Sequence, residues 1–469
     1  MTKIISQYKY HFLIFLLSFI ILTSFNFDPD LGWHLAYGQR FLESGEIIRS
    51  DQFSWTMPQY EWGNSYFAYQ VLVAFLFKYL GHIITATVFG IIASVGVMIL
   101  LPKKLNIFKT LIVGLGTGVL VANLGLRPHT VSFLMFAILL VFLSLRLFDK
   151  KFYIFFWLVF FAVWANLHRG FVVGIIVLAI YFGLDLFLLE KKNKKTLLFI
   201  RITSFVCALL GTLISPFIFK TWHSGVFLDL TSRPNLFNIA EWQSPAVYFP
   251  QNVLLAISGV IFIYIFIKES KKIEFPLFLI AAFLFAFSFL AITFVFYWVA
   301  IFIFLTTRYF DLEINFRNDF MAKLPIILST LAVGIALLLS FISNLVLSVN
   351  FNDRLIKDGY PAAAIKFIRD EKLNGNLYNE YAWGGFLIWQ LPQAKVFIDG
   401  RMAAWKRNNG DSILNDYLAI RDGKCDVAKS YDIKILLIKK DAQTPCFDTW
   451  QIIFSDSIAK VLIKPNIDI

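Results

Sequence analysis

The chain has 469 residues, of which 58% are hydrophobic and 16% charged, with 53 phenylalanines and a mean hydropathy of +0.69. Such values exclude an ordinary soluble globular protein and indicate a mostly helical, polytopic membrane protein. The formal net charge of +12 does not argue for nucleic acid, because the basic residues sit in short clusters between apolar runs, where positive-inside bias puts them.

The first apolar run, Phe12 to Phe25, follows Lys3 and Lys9 and has no small-residue cleavage pattern after Ser24, so it reads as a retained helix rather than a signal peptide. The first long polar interruption, residues 27–82, opens Asp28-Pro29-Asp30-Leu31-Gly32-Trp33-His34-Leu35. Two carboxylates and an imidazole at the mouth of a membrane helix are costly unless they act, which marks this stretch as a catalytic edge. Asp30 is a natural N-cap for a helix from Leu31 to about Ser44, stopped at Gly45, and capping accounts for Asp30 as well as chemistry does. Asp28 has no such structural task in the sequence and is the preferred general base. Asp28, Asp30 and His34 also offer oxygen and nitrogen ligands to a divalent ion such as Mg or Mn, a reading the sequence permits without demanding.

Ten further apolar runs lie near residues 83–101, 111–126, 131–148, 154–167, 171–189, 197–217, 253–267, 276–292, 293–305 and 325–349. With the first they make about eleven spans, a few of them shorter than the ~20 residues that cross a bilayer. Tyr66 to Leu80 is ambiguous, being apolar but interrupted by Gln70 and Lys78 and only ~22 Å long as a helix. If it does not cross, every later lysine cluster falls on the side of the N-terminus; if it crosses, all of them flip. It is therefore predicted to lie in the headgroup plane as an interfacial helix. The N-terminus is then cytoplasmic, and residues 27–82, 127–129, 168–170, 220–252 and everything after Asn350 are extracytoplasmic. This divides the chain into a membrane domain, 1–349, and a soluble α/β domain, 350–469.

In that last region helices are predicted over 361–373 and 412–419, and strands over 375–381, 395–400, 433–440, 451–454 and 459–464. About 115 residues suffice to bury a core of their own. Asp399 and Arg401 at a predicted strand end read either as ligand groups or as a buried ion pair. Cys425 and Cys446 would both face an oxidising compartment, which permits a disulfide, whereas Cys207 lies inside a span.

Asp28 to Asp30, Trp33 to Leu35, Gly38, Asp51 to Thr56, Trp62, Asn166-Leu167-His168, Asn379 to Gly385 and Phe397 to Arg401 together carry a resemblance. The chain resembles the glycosyltransferase C superfamily, and more closely a bacterial membrane family with an Asp-Pro-Asp…Trp-His-Leu first loop. It departs from that pattern at Gly63-Asn64-Ser65-Tyr66, where an acidic His-Glu-Trp-like element is expected, and in lacking a proline before Asp51. The resemblance implies an acidic catalytic residue in the first extracytoplasmic loop, two juxtamembrane helices in that loop and a variable soluble C-terminal domain. It also implies a polyprenyl-phosphate-linked sugar donor, a lipid or cell-surface glycan acceptor, and residence in the bacterial cytoplasmic membrane. The acceptor hydroxyl would lose its proton to Asp28, with Asp30 beside it. Arg127, Arg169 and Arg233 would hold the leaving phosphate, although each alone reads equally well as a snorkelling arginine. His34, Trp62, His168, Glu241 and Trp242 are the candidate substrate-binding residues; Trp242 reads equally as a headgroup anchor. The alternatives are a transporter or flippase of lipid-linked glycans, against which the charges gather at span ends rather than at midplane, and a non-catalytic membrane assembly protein.

Overall fold

The computed structural model describes residues 2–188, 194–232, 238–269, 272–310, 320–407 and 410–465. These are mostly helical, with one small sheet near the C-terminus. They fall into two compact units: Met1–Phe25 with Ile83–Ile214 and Ala240–Val346, and Asn26–His82 with Ser215–Ile239 and Leu347–Ile469.

In the first unit, α1 (Thr2–Leu22), the part of α3 beyond Gly81, α4 (Ile107–Leu120), α5 (Pro128–Ser144), α6 (Ile154–Leu167), α7 (Phe171–Leu188), α8 (Lys194–Thr212), α9 (Gln251–Glu269), α10 (Phe275–Ser288), α11 (Val295–Tyr309) and most of α12 (Phe320–Val349) form a helical bundle. Five described helices are long and apolar enough to cross a membrane: Phe67–Ile99, Lys195–Thr212, Gln251–Glu269, Ile292–Tyr309 and Leu331–Val349. The other apolar helices among the described residues are shorter. Helix α11 is the axis of the bundle, buried at every position from Val295 to Thr307 and packed on α4, α5, α9 and α10. Small residues permit close packing: a Cβ on Gly116 of α4 would lie 2.7 Å from Ile303 Cδ1 of α11, and between α8 and α6 one on Gly211 would lie 2.3 Å from the Leu158 carbonyl oxygen. Leu331, Val333, Leu339 and Val346 on α12 point outward and are exposed, as expected of apolar side chains whose solvent is lipid.

The expected helix from Leu31 to Ser44 is present as α2 (Leu31–Ser44), closed by Gly45 in the left-handed conformation. The stretch Tyr66 to Leu80, expected to lie in the headgroup plane, is helical as the first part of α3 (Phe67–Ile99), which breaks at Gly81, φ 75° and ψ 177°. The two units divide directly after that break, between His82 and Ile83.

In the second unit β1 (Leu377–Asn379), β2 (Ile435–Lys439), β3 (Gln451–Ser455) and β4 (Ala459–Ile463) form a sheet of order β1-β2-β4-β3. The first pair is parallel and the others antiparallel. Helices Ala362–Asp370 and Ile413–Arg421 lie where they were expected. The strand expected over 395–400 is not one. Val396 makes an isolated bridge to Ser54 and donates its N–H to the Phe53 carbonyl, so this buried apolar stretch pairs with the first loop instead of the sheet. The segment 220–252, expected as a loop, contains short helical turns at Lys220–Trp222, His223–Phe227, Leu228–Thr231, Ala240–Trp242 and Pro245–Val247.

First loop and C-terminal region belong to the same unit, and a buried charge network ties them. The Arg401 guanidinium reaches Asp51 Oδ1 (2.8 Å), Asp399 Oδ1 and Oδ2 (2.8 and 2.6 Å) and the Tyr37 hydroxyl (2.7 Å). Arg401, Asp51 and Asp399 side chains have no exposed surface. Burial pushes the Tyr37 hydroxyl up to about 12, against the opposing pull of Arg401. Arg401→Met would leave two carboxylates buried without their cation, and should destabilise this unit by about 3–5 kcal/mol. Tryptophan fluorescence during denaturant unfolding of the detergent-solubilised chain would measure the loss; an unchanged midpoint would refute the assigned role.

Candidate functional site

In the second unit the Asp28-Pro29-Asp30 turn is tightly held. The Asp28 carbonyl accepts Leu31 N–H and its carboxylate Oδ1 accepts Asp30 N–H, both at 3.0 Å. Asp28 therefore does have a structural task, contrary to expectation, as the acceptor of an Asx-type turn. Asp30 makes no side-chain cap for α2; its Oδ1 accepts from Trp33 Nε1 at 2.9 Å. Three glycines let backbone close around this turn. A Cβ on Gly385 would lie 2.3 Å from the Pro29 carbonyl oxygen, one on Gly32 would lie 2.2 Å from the Gly385 oxygen, and one on Gly400 would lie 1.9 Å from Asp30 Oδ1. Upstream, Phe27 N–H donates to Asp358 Oδ2 (2.7 Å) and the Tyr360 hydroxyl to the Phe27 carbonyl (3.0 Å). Both aspartates stay partly exposed.

His34 is 2% exposed, with its ring set against Tyr66 and Tyr69. Among the described residues no group of three or more His, Cys, Asp or Glu is arranged to hold a metal ion, so Asp28, Asp30 and His34 do not form the ligand set the sequence allowed. Trp62 is buried among Trp33, Tyr37 and Trp405, its indole N–H on the Tyr37 hydroxyl. The departure at Gly63-Asn64-Ser65-Tyr66 has a local use: Asn64 bonds Gln70 (2.7 Å) and accepts Tyr66 N–H, opening α3.

In the first unit, residues nominated from three distant segments come together. Arg127 Nη1 meets Glu241 Oε1 at 3.2 Å, with side chains 30% and 29% exposed. The Arg169 guanidinium lies over the Trp242 ring, 5.5 Å from its centre. His129 and His168, at the start of α5 and the end of α6, have ring centres 4.7 Å apart. The Asn123 side chain donates to the Ile292 carbonyl, and Ile292 N–H to the Gln243 carbonyl, which joins the turn carrying Glu241 to the turn carrying Thr293. Thr293 in turn bonds His129 Nε2 at 3.0 Å. Burial alone would raise the Glu241 carboxyl, but Arg127, His129 and Arg169 hold it below the usual carboxylate range.

His168 is fixed as one tautomer. Its Nδ1 accepts Gly170 N–H at 3.2 Å and stands 2.7 Å from Ser132 Oγ, which itself accepts from Trp164 Nε1 and so has its own proton to donate. A neutral ring with Nδ1 accepting carries its proton on Nε2. Glycine is required at 170, where a Cβ would lie 2.3 Å from the Tyr297 hydroxyl. Sequence reasoning missed Ser132, Trp164, Thr293 and Tyr297; the i, i+3 spacing of His129 and Ser132 on α5 was the available signal. Arg233 lies outside the described residues.

No protein-family model matches the chain, nor does any curated protein. Among solved structures it is similar to the archaeal oligosaccharyltransferase AglB from Archaeoglobus fulgidus, in complex with an inhibitory peptide and a dolichol-phosphate. The identity is 12%, the match covers 93% of this chain and 70% of that chain, and the TM-score is 0.45. No residue role carries across at that level.

The Arg127–Glu241 pair has a definite pH signature. Because the folded carboxyl titrates below its unfolded value of ~4.3, its stabilisation is complete above that pH and fades as the pH falls through the folded value. The stability gap between wild type and Glu241→Gln, measured by thermal unfolding, should therefore shrink from pH 7 to pH 3. A gap of constant size would exclude the ion pair as its source.

Proposed function

We propose that the protein is a membrane glycosyltransferase that moves a sugar, with inversion, from a polyprenyl-phosphate donor to a lipid or cell-surface glycan acceptor. The observation that carries this reading is the cluster of Arg127, His168, Arg169, Glu241 and Trp242, which gathers two guanidiniums, an imidazole N–H donor, a carboxylate and an indole face within one unit. That chemistry suits a sugar joined to a phosphate.

The acceptor oxygen attacks the anomeric carbon while the bond from that carbon to the phosphate oxygen breaks. The sequence alone assigns Asp28 as the base that takes the hydroxyl proton; the electron pair of the broken bond stays on the lipid phosphate. Being an anion already, the leaving group needs charge stabilisation rather than a proton. Arg127 and Arg169 supply it, and the His168 Nε2–H adds a neutral donor. Arg233 is assigned the same task from the sequence. Without ligand, Glu241 is the counter-ion of Arg127; a phosphate would compete for that guanidinium, leaving Glu241 to accept from a sugar hydroxyl beside Trp242. Asp30 stands next to Asp28 and keeps Trp33 in place. His34 and Trp62 serve by packing behind the turn.

The sidedness assigned here puts the N-terminus in the cytoplasm and the C-terminal region outside a bacterial cytoplasmic membrane. Cys425 and Cys446 are joined in a disulfide, Cα atoms 5.0 Å apart, which fits an oxidising compartment. In intact cells an impermeant maleimide should label Cys446 only after treatment with an impermeant reductant. Labelling that requires lysis would overturn the sidedness.

The reaction is tested with radiolabelled polyprenyl-phosphate sugars in membranes holding wild type or Asp28→Asn. Transfer should fall by at least about 10²-fold in the variant, the lower range for loss of a general base, with expression unchanged. If neither protein consumes any donor while wild type moves labelled carrier between leaflets, the chain is a flippase and the proposal fails.

A further inference from the structure

We infer that Tyr360 and Asp358 are positioning residues that fix the direction of the Asp28 carboxylate from the upstream side of its turn, an inference that rests on the assignment of Asp28 as the base. Downstream of Asp28 the backbone has little freedom. Pro29 locks its own φ and keeps the residue before it out of the helical region, and Asp28 Oδ1 accepts the Asp30 N–H at 3.0 Å. The rotation that remains is that of the peptide joining Phe27 to Asp28. Its carbonyl is the one that accepts from the Tyr360 hydroxyl, at 3.0 Å.

The stretch that holds this peptide is itself firmly built. Asp358 Oδ2 accepts from Phe27 N–H at 2.7 Å and from Arg354 Nε at 2.9 Å. Arg354 Nη2 donates to Asp358 Oδ1 and to Asn26 Oδ1, and the Arg354 and Asp358 side chains are 4% and 11% exposed. Both backbone polar groups of Phe27 and the side chain of Asn26 are thus tied to residues 354–360. That stretch owes its shape to the end of the helix Phe351–Lys357. Gly359, at φ 79°, donates its N–H to the Ile356 carbonyl (3.0 Å) and Tyr360 N–H donates to the Leu355 carbonyl (2.9 Å), the two bonds of a Schellman stop. Trp383 Nε1 holds the Gly359 carbonyl at 3.0 Å.

Packing alone does not call for the hydroxyl. The Tyr360 ring lies edge-on to Phe27, with centres 5.1 Å apart, and against Phe386 at 4.9 Å. Phe27 also meets Phe351, Phe386 and Trp389 within 6.0 Å. A phenylalanine at 360 would keep all of those ring contacts. What the hydroxyl adds is a bond to the peptide that sets where the next side chain, Asp28, points.

The test measures kcat and donor KM for transfer from radiolabelled polyprenyl-phosphate sugars in membranes holding wild type, Tyr360→Phe, Asp358→Asn or Asp28→Asn. Tyr378→Phe is the control, because it removes another buried tyrosine hydroxyl of the same unit, one that bonds the Tyr417 carbonyl instead. Tyr360→Phe should lower kcat about tenfold, less than the ~10²-fold that a 1 Å misplacement can cost, with KM within about twofold of wild type. Asp358→Asn should act in the same direction, and Tyr378→Phe should leave kcat unchanged. If Tyr360→Phe keeps the wild-type kcat while Asp28→Asn loses transfer, the base stands and this inference falls. A loss shared by Tyr378→Phe, or one carried by KM, would also overturn it, since general loosening of the unit would then account for the effect. Transfer that survives Asp28→Asn would remove the base assignment and the inference with it.

Discussion

A guanidinium taken wholly out of water costs several kcal/mol unless charge and hydrogen bonds around it are matched. Arg401 meets that condition with two carboxylates, one two residues away and the other 350 residues away in sequence, and with the Tyr37 hydroxyl of α2. The carboxylates leave the side chain well above its already high basicity despite burial, so it is charged at every accessible pH. Asp51 in turn accepts from Ser54 N–H and Oγ, which fixes the loop after α2. One cation thus sets the register between two segments that are remote in the chain. The rings of Tyr37, Phe53 and Trp405 surround it at 5.3–5.5 Å and shut out water.

That register is what allows the Asp-Pro-Asp turn to be so closely packed. With Arg401 in place, Gly400 lies against Asp30 and the Gly384-Gly385 pair lies against Pro29 and Asp399. None of these contacts would tolerate a side chain. A carboxylate held by its own turn, with its neighbour pinned by an indole N–H, has little freedom to reorient. The C-terminal region is therefore a support for the first loop as well as a fold of its own.

Features carried by local chemistry were legible in the sequence. The bounds of α2 were legible: it starts after Asp30, although Asp30 makes no side-chain cap, and Gly45 ends it with positive φ. Strands β2, β3 and β4 are short apolar runs between turn residues and lie close to their expected bounds. Partnership was not legible. Asp399 and Arg401 stood out as a pair, but the third member, Asp51, had no signal linking it to them. Likewise Arg127 and Glu241 are 114 residues apart and were nominated for different tasks. Residues 395–400 have strand composition, yet long-range pairing with residues 53 and 54 took them out of the sheet, the ordinary way in which tertiary context overrides propensity.

The helical unit obeys a different economy. Most of its polar side chains answer a local demand: Thr and Ser hydroxyls return to carbonyls a turn away, as Thr117, Thr306 and Thr307 do. The group around His168 does not. There an indole N–H, a serine, a backbone N–H and a tyrosine from four segments converge, and their sum is to hold one imidazole in one tautomer. In an apolar bundle such a network is expensive to assemble, and a packing role would be met more cheaply by an apolar side chain. The outcome is a buried imidazole whose Nδ1 accepts and whose proton sits on Nε2, held by partners that come from α5, α6, the turn after it and α11.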